Sequence, residues 1–224
     1  MARSIRLLIA DDHTMVRQGL TQICGAEPDM EVVAQAADGQ EACRLAGVVQ
    51  PDVVVMDINM PVLDGVQATR HISKTSPGIG VIILTMYRQD QYVFEAIKAG
   101  ACAYLLKDAD SDELLRAIRA VATGEALLDS GIALKMIEEF RRLQSDPVGA
   151  DGITQLTERE LDILRLVAQG LDNNDIGSRL GLSEKTVRNR LTVVFEKLHV
   201  NNRTQAALYA LRRGLTSLEE EDGW

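Results

Sequence analysis

The chain has 224 residues, of which 46% are hydrophobic and 25% charged, proportions that are typical of a soluble globular protein with one or two domains. No window holds about 18 consecutive apolar residues, and the first apolar run is too short for a secretory signal, so we expect a cytoplasmic protein without a membrane partner. The net charge of −9 excludes a chain that is uniformly basic. Three separated cysteines without a CxxC motif are typical of reduced core thiols.

The first 125 residues alternate short apolar runs with amphipathic stretches. The predicted strands are residues 5–10, 31–36, 53–57, 80–85 and 102–106. The predicted helices lie near residues 13–26, 40–49, 64–74, 90–99 and 111–123. Five such units predict an α/β fold with a five-stranded, doubly wound parallel sheet, since nearly continuous apolar strands are buried on both faces.

The composition changes after this region. Residues 124–144 include one more helical pattern, and residues 145–152 have linker composition, with Pro147, Gly149 and Gly152. We therefore place a helical linker and flexible segment at 125–152, between a first domain at 4–124 and a second at 153–215. Residues 216–224 form an acidic tail.

The second domain has only helical patterns. Capping-box sequences begin helices at Thr157 and Asp172, glycines end them at 170 and 181, and two further helices are predicted over 183–198 and 203–214. Two short helices joined at Gly181 predict a helix-turn-helix, within a small all-α four-helix domain. Residues 183–213 contain seven basic and two acidic residues, which indicates a polyanionic partner.

Polar residues stand where four of the predicted strands end. Asp11 and Asp12 follow the first strand, Asp57 ends the third, Thr85 ends the fourth and Lys107 follows the fifth. The carboxyl ends of parallel strands meet at one edge of a sheet. Three carboxylates at that edge need a cation, and Mg²⁺ suits such ligands. A carboxylate can also attack phosphorus, and a hydroxyl and an ammonium can hold the transferred oxygens.

Each residue has a simpler interpretation when it is taken alone. A single aspartate after a strand is usually a turn former or a helix cap, and His13 is more typical of a helix start than of a metal ligand. Only the joint occurrence of all five residues favours a site.

The motifs that carry these residues resemble a known family. DD (11–12), MDINMPVLDG (56–65), ILT (83–85) and AYLLKD (103–108) resemble the flavodoxin-like receiver domain of two-component response regulators. LTERELDILRLVAQGLDNNDIGSRLGLSEKTVRNRL (156–191) is similar to the LuxR/NarL (FixJ) type of DNA-binding domain. The resemblance implies that Asp57 is the phosphoacceptor and that the carbonyl of Asn59 joins Asp11, Asp12 and Asp57 as a metal ligand. It also implies that Thr85 and Lys107 sense the phosphoryl group and that Tyr104 follows Thr85 as a switch.

The resemblance further implies how the protein functions. A histidine kinase would phosphorylate Asp57 in a Mg²⁺-dependent reaction, and the shifted receiver would control dimerisation and DNA binding. The protein would not be an enzyme beyond its own phosphorylation and dephosphorylation. Two alternatives are a regulator that works without phosphorylation and an aspartyl-phosphate phosphatase. The phosphatase is disfavoured because Asn59 stands where such enzymes have an acid/base aspartate.

The helix at 183–198 is the expected DNA-reading element. Its first exposed turns offer Lys185, Arg188, Asn189 and Thr192. Arg188 and Asn189 suit guanine and adenine edges, whereas Lys185, Arg190 and Arg203 suit phosphates. A module of this size predicts two copies on a pseudo-palindromic site. The helix at 203–213 could serve self-association or core closure, and Gly177 predicts a short helix weakened by roughly 0.5–1 kcal/mol.

Overall fold

The structure is a computed structural model that describes residues 4–86, 90–125, 155–198, 200 and 202–215. The chain divides into two compact units, one before and one after residues 126–154. Nearly all of the predicted linker at 125–152, and the whole acidic tail at 216–224, lie outside the described residues. Within the described part of the chain, no helix has the length and apolar character that a membrane crossing needs.

The first unit contains one parallel sheet, and it confirms the predicted fold class. Its strands are β1 (Ile5–Ala10), β2 (Met30–Ala36), β3 (Val53–Met56), β4 (Gly80–Thr85) and β5 (Ala103–Leu106). The strand order is β2-β1-β3-β4-β5, and each neighbouring pair is parallel. The order therefore reverses between β1 and β3, which is the point where doubly wound sheets bind ligands.

Helices cover both faces of this sheet. They are α1 (Thr14–Gly25), α2 (Gly39–Val49), α3 (Gly65–Thr75), α4 (Asp90–Ala99) and α5 (Ser111–Ala122). Ile9 and Val55 belong to a core cluster with Leu20 of α1 and Ile118 of α5. Their neighbours Leu8, Ala10, Val54 and Met56, which point to the opposite face, are buried as well. Strands buried on both faces explain the nearly continuous apolar runs.

The second unit is helical. Its helices are α6 (Glu158–Ala168), α7 (Asn173–Leu180), α8 (Glu184–Leu198) and α9 (Arg203–Arg212). Gly181 ends α7 with a φ of +67°, a conformation that glycine adopts without a steric penalty. Ala206 and Ala210 of α9 are buried in a cluster with Leu164 of α6 and Val194 of α8. This face of α9 therefore closes the core, which was one of the two roles expected of the helix.

Candidate functional site

The backbone brings two aspartates together at the reversal of strand order. Ala10 at the end of β1 is paired with Met56 at the end of β3. The amide of Asp57 donates a hydrogen bond to the Ala10 carbonyl (2.8 Å), and that of Asp11 donates to the Ala36 carbonyl of β2 (3.2 Å). The carboxylates of Asp11 and Asp57 are buried, with 1% and 4% of each residue exposed. Strand pairing therefore fixes where these two charges lie.

Lys107 joins the two carboxylates. Its backbone amide donates to the Thr85 carbonyl (2.8 Å), which continues the pairing of β4 with β5. Its Nζ lies 2.7 Å from Asp11 Oδ2 and 3.0 Å from Asp57 Oδ2. The predicted meeting of these residues at one edge of the sheet is thus found in the structure.

The electrostatics of the pocket are set by burial. Burial raises the pKa of the Asp57 carboxyl above its usual range, and the negative charge of Asp11 adds to this, whereas Lys107 opposes it. Burial lowers the pKa of Lys107, but its hydrogen bonds to Asp11 and Asp57 outweigh burial, so the net pKa is raised. The lysine therefore stays protonated, and one ammonium is too little positive charge for the carboxylates around it.

The donor set fits a hard divalent cation. Ligand atoms of Asp11, Asp12, His13 and Asp57 lie within 4.8 Å of one another. Asp12 Oδ1 is buried and accepts no hydrogen bond among the described residues. His13 Nδ1 lies 2.7 Å from this oxygen, and 31% of the Asp12 side chain is exposed. A cluster of carboxylate oxygens of this kind suits Mg²⁺, which prefers oxygen ligands.

His13 and Asn59 are two further residues considered as ligands of this metal site. His13 begins α1, where its backbone amide donates to Asp11 Oδ1 (2.8 Å), and its side chain is 64% exposed. Asn59 is exposed two residues after Asp57. Its carbonyl as a metal ligand stays a prediction.

The loop between β3 and α3 is held by close backbone contacts. The Gly65 amide donates to the Ile58 carbonyl (2.8 Å), and a Cβ at Gly65 would lie 1.9 Å from the Asp57 carbonyl oxygen. Val62 has a φ of +67°, within a tight turn closed by the Leu63 amide and the Pro61 carbonyl (2.7 Å). A β-branched residue at positive φ is strained. The motif MDINMPVLDG (56–65) includes this loop, but the sequence did not indicate the strain at Val62.

The predicted switch residues lie on the two strands beside the pocket. Thr85 is fully buried at the end of β4, and Tyr104 of β5 is 5% exposed. Burial, together with the charges of Asp57 and Tyr92, raises the pKa of the Tyr104 hydroxyl to about 12. The ring is therefore neutral and inside the domain, and its coupled movement with Thr85 stays a prediction.

The predicted DNA-reading residues of α8 lie on its surface. Lys185, Asn189 and Thr192 are exposed, and Arg188 and Arg190 are partly exposed. The Arg188 guanidinium donates through Nη2 to Glu184 Oε1 (2.5 Å). Sequence reasoning missed this contact, although the spacing of four residues along a helix is a signal for it.

Arg203 does not lie with these residues, and its prediction as a phosphate contact is not supported. Only 8% of the residue is exposed. Its guanidinium donates through Nη1 to Asn173 Oδ1 (2.9 Å) and through Nη2 to the Leu171 carbonyl. Buried donors in such bonds hold the start of α9 against the turn before α7, so the structure gives Arg203 a place inside the domain.

Glu160 links α6 to α8. Its carboxylate accepts hydrogen bonds from the Thr157 amide (2.7 Å) and from Lys197 Nζ (2.7 and 2.9 Å). The Lys197 and Thr157 contacts lower the pKa of Glu160. The sequence predicted the capping box at Thr157, but Lys197 is 37 residues further along the chain, where no local pattern indicates the pair.

Two family descriptions match the chain. Residues 7–119 match the response regulator receiver domain, and residues 154–210 match the luxR family of bacterial regulatory proteins. The transcriptional regulatory protein LiaR of Bacillus subtilis strain 168 is 42% identical over 213 residues, which cover 95% of this chain and 100% of that protein. DegU of Brevibacillus brevis, also a transcriptional regulatory protein, is 38% identical over 222 residues and 94% of each chain.

Solved structures agree with these matches. The response regulator ChrA of a heme-sensing two-component system is 37% identical, with a TM-score of 0.52 over 96% of this chain and all of that one. A LuxR-family response regulator from Aurantimonas sp. SI85-9A1 is 38% identical, with a TM-score of 0.56 over 61% of this chain and 97% of that one. The chain therefore belongs to the two-component response regulators that join a receiver domain to a LuxR-type DNA-binding domain. The two domains imply a histidine kinase and DNA as partners, and the relatives are regulators of transcription and not enzymes.

Proposed function

We propose that this response regulator is controlled by phosphorylation of Asp57 in a Mg²⁺-dependent reaction. The observation that carries the proposal is the pocket itself, in which Lys107 Nζ contacts both Asp11 and Asp57 and the nearby Asp12 Oδ1 accepts no hydrogen bond among the described residues. Bound Mg²⁺ would supply the second positive charge that three carboxylates need and would favour the ionised form of Asp57. Asp11, Asp12 and Asp57 would be its side-chain ligands, with the carbonyl of Asn59 as a further one.

The chain's own residues position the transfer. An oxygen of Asp57 attacks phosphorus in line, forming a P–O bond. The bond from phosphorus to the donor imidazole of a histidine kinase breaks, and its electron pair returns to that nitrogen. The strand holds Asp57 in place through its amide bond to Ala10. Lys107 then exchanges its contact with the carboxylate for one with a phosphoryl oxygen, and Thr85 donates to another.

The response spreads from Thr85 to the face formed by α4, β5 and α5. Thr85 moves towards the phosphoryl group, and Tyr104 occupies the space that it leaves. The complete burial of Thr85 and the near-complete burial of Tyr104 support a packed, two-state arrangement of these side chains. Phosphorylation shifts an existing equilibrium, and a few kcal/mol of differential stabilisation are enough.

Incubation with acetyl phosphate and Mg²⁺ tests the phosphoacceptor. Intact-protein mass spectrometry should show one phosphoryl group on the wild type and none on Asp57→Asn. Asp110→Asn is the matched control, because Asp110 is an exposed N-cap after β5 whose capping role asparagine retains. It should be labelled like the wild type. Full labelling of Asp57→Asn would show that another residue is the acceptor.

In the second domain, we propose that α8 enters the major groove and that a homodimer binds a pseudo-palindromic site. Arg188, Asn189 and Thr192 face base edges, and Lys185 and Arg190 contact phosphates. The exposure of Lys185, Asn189 and Thr192 on one helix supports this assignment. Phosphate contacts position the domain without carrying sequence information, whereas contacts to base edges specify the sequence.

Two substitutions separate these roles. Lys185→Ala should weaken binding to every sequence and reduce the salt slope of log K by about 0.9 for one lost phosphate contact. Arg188→Ala should instead relax the preference at one base position. Titrations of cognate and scrambled duplexes at several salt concentrations provide both quantities. Equal losses on all sequences for both variants would contradict the division of roles.

A phosphorylation-independent regulator is the main alternative. All five predicted pocket residues are present, and Lys107, Asp11 and Asp57 are in contact, which favours phosphorylation. If wild type treated with acetyl phosphate and Asp57→Asn bound DNA with equal affinity, the alternative would be correct. The phosphatase alternative stays disfavoured by Asn59.

A further inference from the structure

Glu184 is an acidic residue at the position where α8 would meet DNA. It is the first residue of α8, and 46% of its side chain is exposed. A carboxylate there repels DNA phosphates, so it lowers affinity for every sequence. It also favours the helix start, because negative charge near a helix N-terminus is stabilising. That benefit explains an acidic residue at this position but does not explain its contact with Arg188.

The contact with Arg188 restricts a side chain that is proposed to read bases. Glu184 Oε1 accepts from Arg188 Nη2 at 2.5 Å, across one turn of the helix. Arg188 Nε is buried and has no hydrogen-bond partner among the described residues. Because Nε is inaccessible to a ligand, the donors that remain for one are those of Nη1 and the second hydrogen of Nη2. The guanidinium is therefore held through Nη2, and only its outer end can meet a base.

We propose that Glu184 is a positioning residue that sets the sequence specificity of Arg188. The proposal rests on the proposed role of α8 in reading DNA. By holding Nη2, Glu184 limits the orientations of the guanidinium to those in which its remaining donors meet the two acceptors of guanine, N7 and O6. A freely rotating arginine would bind phosphates as readily as bases, so this restriction exchanges general affinity for discrimination.

Glu196 provides a matched control. It is also an exposed glutamate of α8, and it lies twelve residues after Glu184, about 18 Å along the helix axis. Glu184→Gln and Glu196→Gln change the net charge equally, but screening weakens the effect of the more distant charge, so Glu196→Gln should raise affinity for non-cognate DNA less. Only the first removes the charged partner of Arg188.

The test is binding-site selection with the full-length protein treated with acetyl phosphate and Mg²⁺, followed by titration of single-base variants. The proteins are wild type, Glu184→Gln, Arg188→Ala, the double variant and Glu196→Gln. We expect Arg188→Ala to relax one base position and Glu184→Gln to relax that same position, with a specificity ratio lowered roughly three- to tenfold. The double variant should match Arg188→Ala in base preference, and Glu196→Gln should keep the wild-type preference.

Three outcomes would overturn the proposal. Glu184→Gln with an unchanged preference would show that the contact is only a surface ion pair. Relaxation at a different base would show that Glu184 reads DNA directly, as an acceptor from cytosine N4. A change in base preference caused by Glu184→Gln that persists in the Arg188→Ala background would show that Glu184 does not act through Arg188. If Arg188→Ala itself left every base preference intact, the proposed role of Arg188 would fail first, and the two failures are thereby distinguished.

Discussion

The acidic pocket and the surface of α8 carry their charges in opposite ways. In the pocket, Asp11 and Asp57 are almost completely buried, and backbone hydrogen bonds to neighbouring strands fix their positions. On α8, Lys185 and Asn189 are exposed. The pocket charges contact one another through Lys107, whereas Lys185 and Asn189 face solvent.

This difference separates the energetic roles of the two regions. Removing one partner of a buried ion pair lowers the stability of the fold, because the remaining charge has neither a counter-charge nor water around it. An exposed charge contributes little to stability, and its removal changes mainly the binding of a charged partner. Substitutions in the pocket should therefore affect folding and chemistry together, and those on the surface of α8 should affect binding alone.

The largest effect is expected for Lys107→Ala. Removal of the ammonium leaves Asp11 and Asp57 buried without their shared counter-charge, which should lower the free energy of unfolding of the receiver by about 3 kcal/mol. Saturating Mg²⁺ should reduce this loss, because a divalent cation replaces the missing charge. Urea titrations of the full chain, followed by NMR resonances of β1 and β3, measure the loss with EDTA and with Mg²⁺.

Lys98→Ala is the control for this prediction. Lys98 is an exposed lysine of α4 whose Nζ lies 5.9 Å from the centre of the Phe94 ring. Its substitution should change stability by less than about 0.5 kcal/mol, and Mg²⁺ should not alter the difference. A loss for Lys107→Ala that is equal with and without Mg²⁺ would contradict the proposed cation site.

The sequence predicted that Arg203 contacts a phosphate, but Arg203→Ala should lower the stability of the fold, as a substitution in the acidic pocket does. Loss of the hydrogen bonds to Asn173 Oδ1 and the Leu171 carbonyl should lower the stability of the second unit by about 2 kcal/mol. The salt slope of DNA binding should stay unchanged. Lys185→Ala should show the reverse pattern, a flatter salt slope without a loss of stability. A flatter salt slope for Arg203→Ala would show that Arg203 contacts a DNA phosphate.

The pH dependence of the stability of Glu160→Gln tests the buried carboxylate that links α6 to α8. Because hydrogen bonds with Lys197 and Thr157 lower its pKa, ionised Glu160 contributes stability above its unfolded pKa of about 4.3. That contribution is lost as pH falls through the lower, folded pKa. At pH 7 the variant should be about 1 kcal/mol less stable, since glutamine keeps the cap but not the charge. The difference should shrink below about pH 4.5, as measured by urea titrations followed through resonances of α6. A difference that stays constant down to pH 3 would exclude the ion pair as its cause.

The sequence predicted features that depend on neighbours along the chain or on strand ends. The apolar runs located each strand of the sheet to within one residue at either end, and parallel topology brought Asp11, Asp57 and Lys107 to one edge. Local sequence patterns could not predict contacts between segments that are distant along the chain. The positive charge of Arg203 indicated a polyanion, but its burial depends on Asn173, which is 30 residues away. The same limit applies to Glu160 and Lys197.

Gly177→Ala tests such a distant contact and should have the smallest effect. From helix propensity alone, alanine should stabilise α7 by roughly 0.5–1 kcal/mol. However, a Cβ at Gly177 would lie 2.7 Å from the Leu182 carbonyl oxygen, in the turn that leads to α8. A hydrogen bond from the Leu182 amide to the Gly177 carbonyl (2.8 Å) closes that turn. Overpacking against backbone typically costs about 1–3 kcal/mol, which exceeds the gain in helix propensity. We therefore expect the free energy of unfolding to fall by roughly 0.5–1 kcal/mol. DNA binding should also weaken, because the turn sets the position of α8. Gly47→Ala in α2 is the control, since no atom lies within 4 Å of its Cβ and alanine should stabilise there. If both variants were more stable than the wild type, the turn would be able to shift without cost, and propensity would outweigh packing at this position.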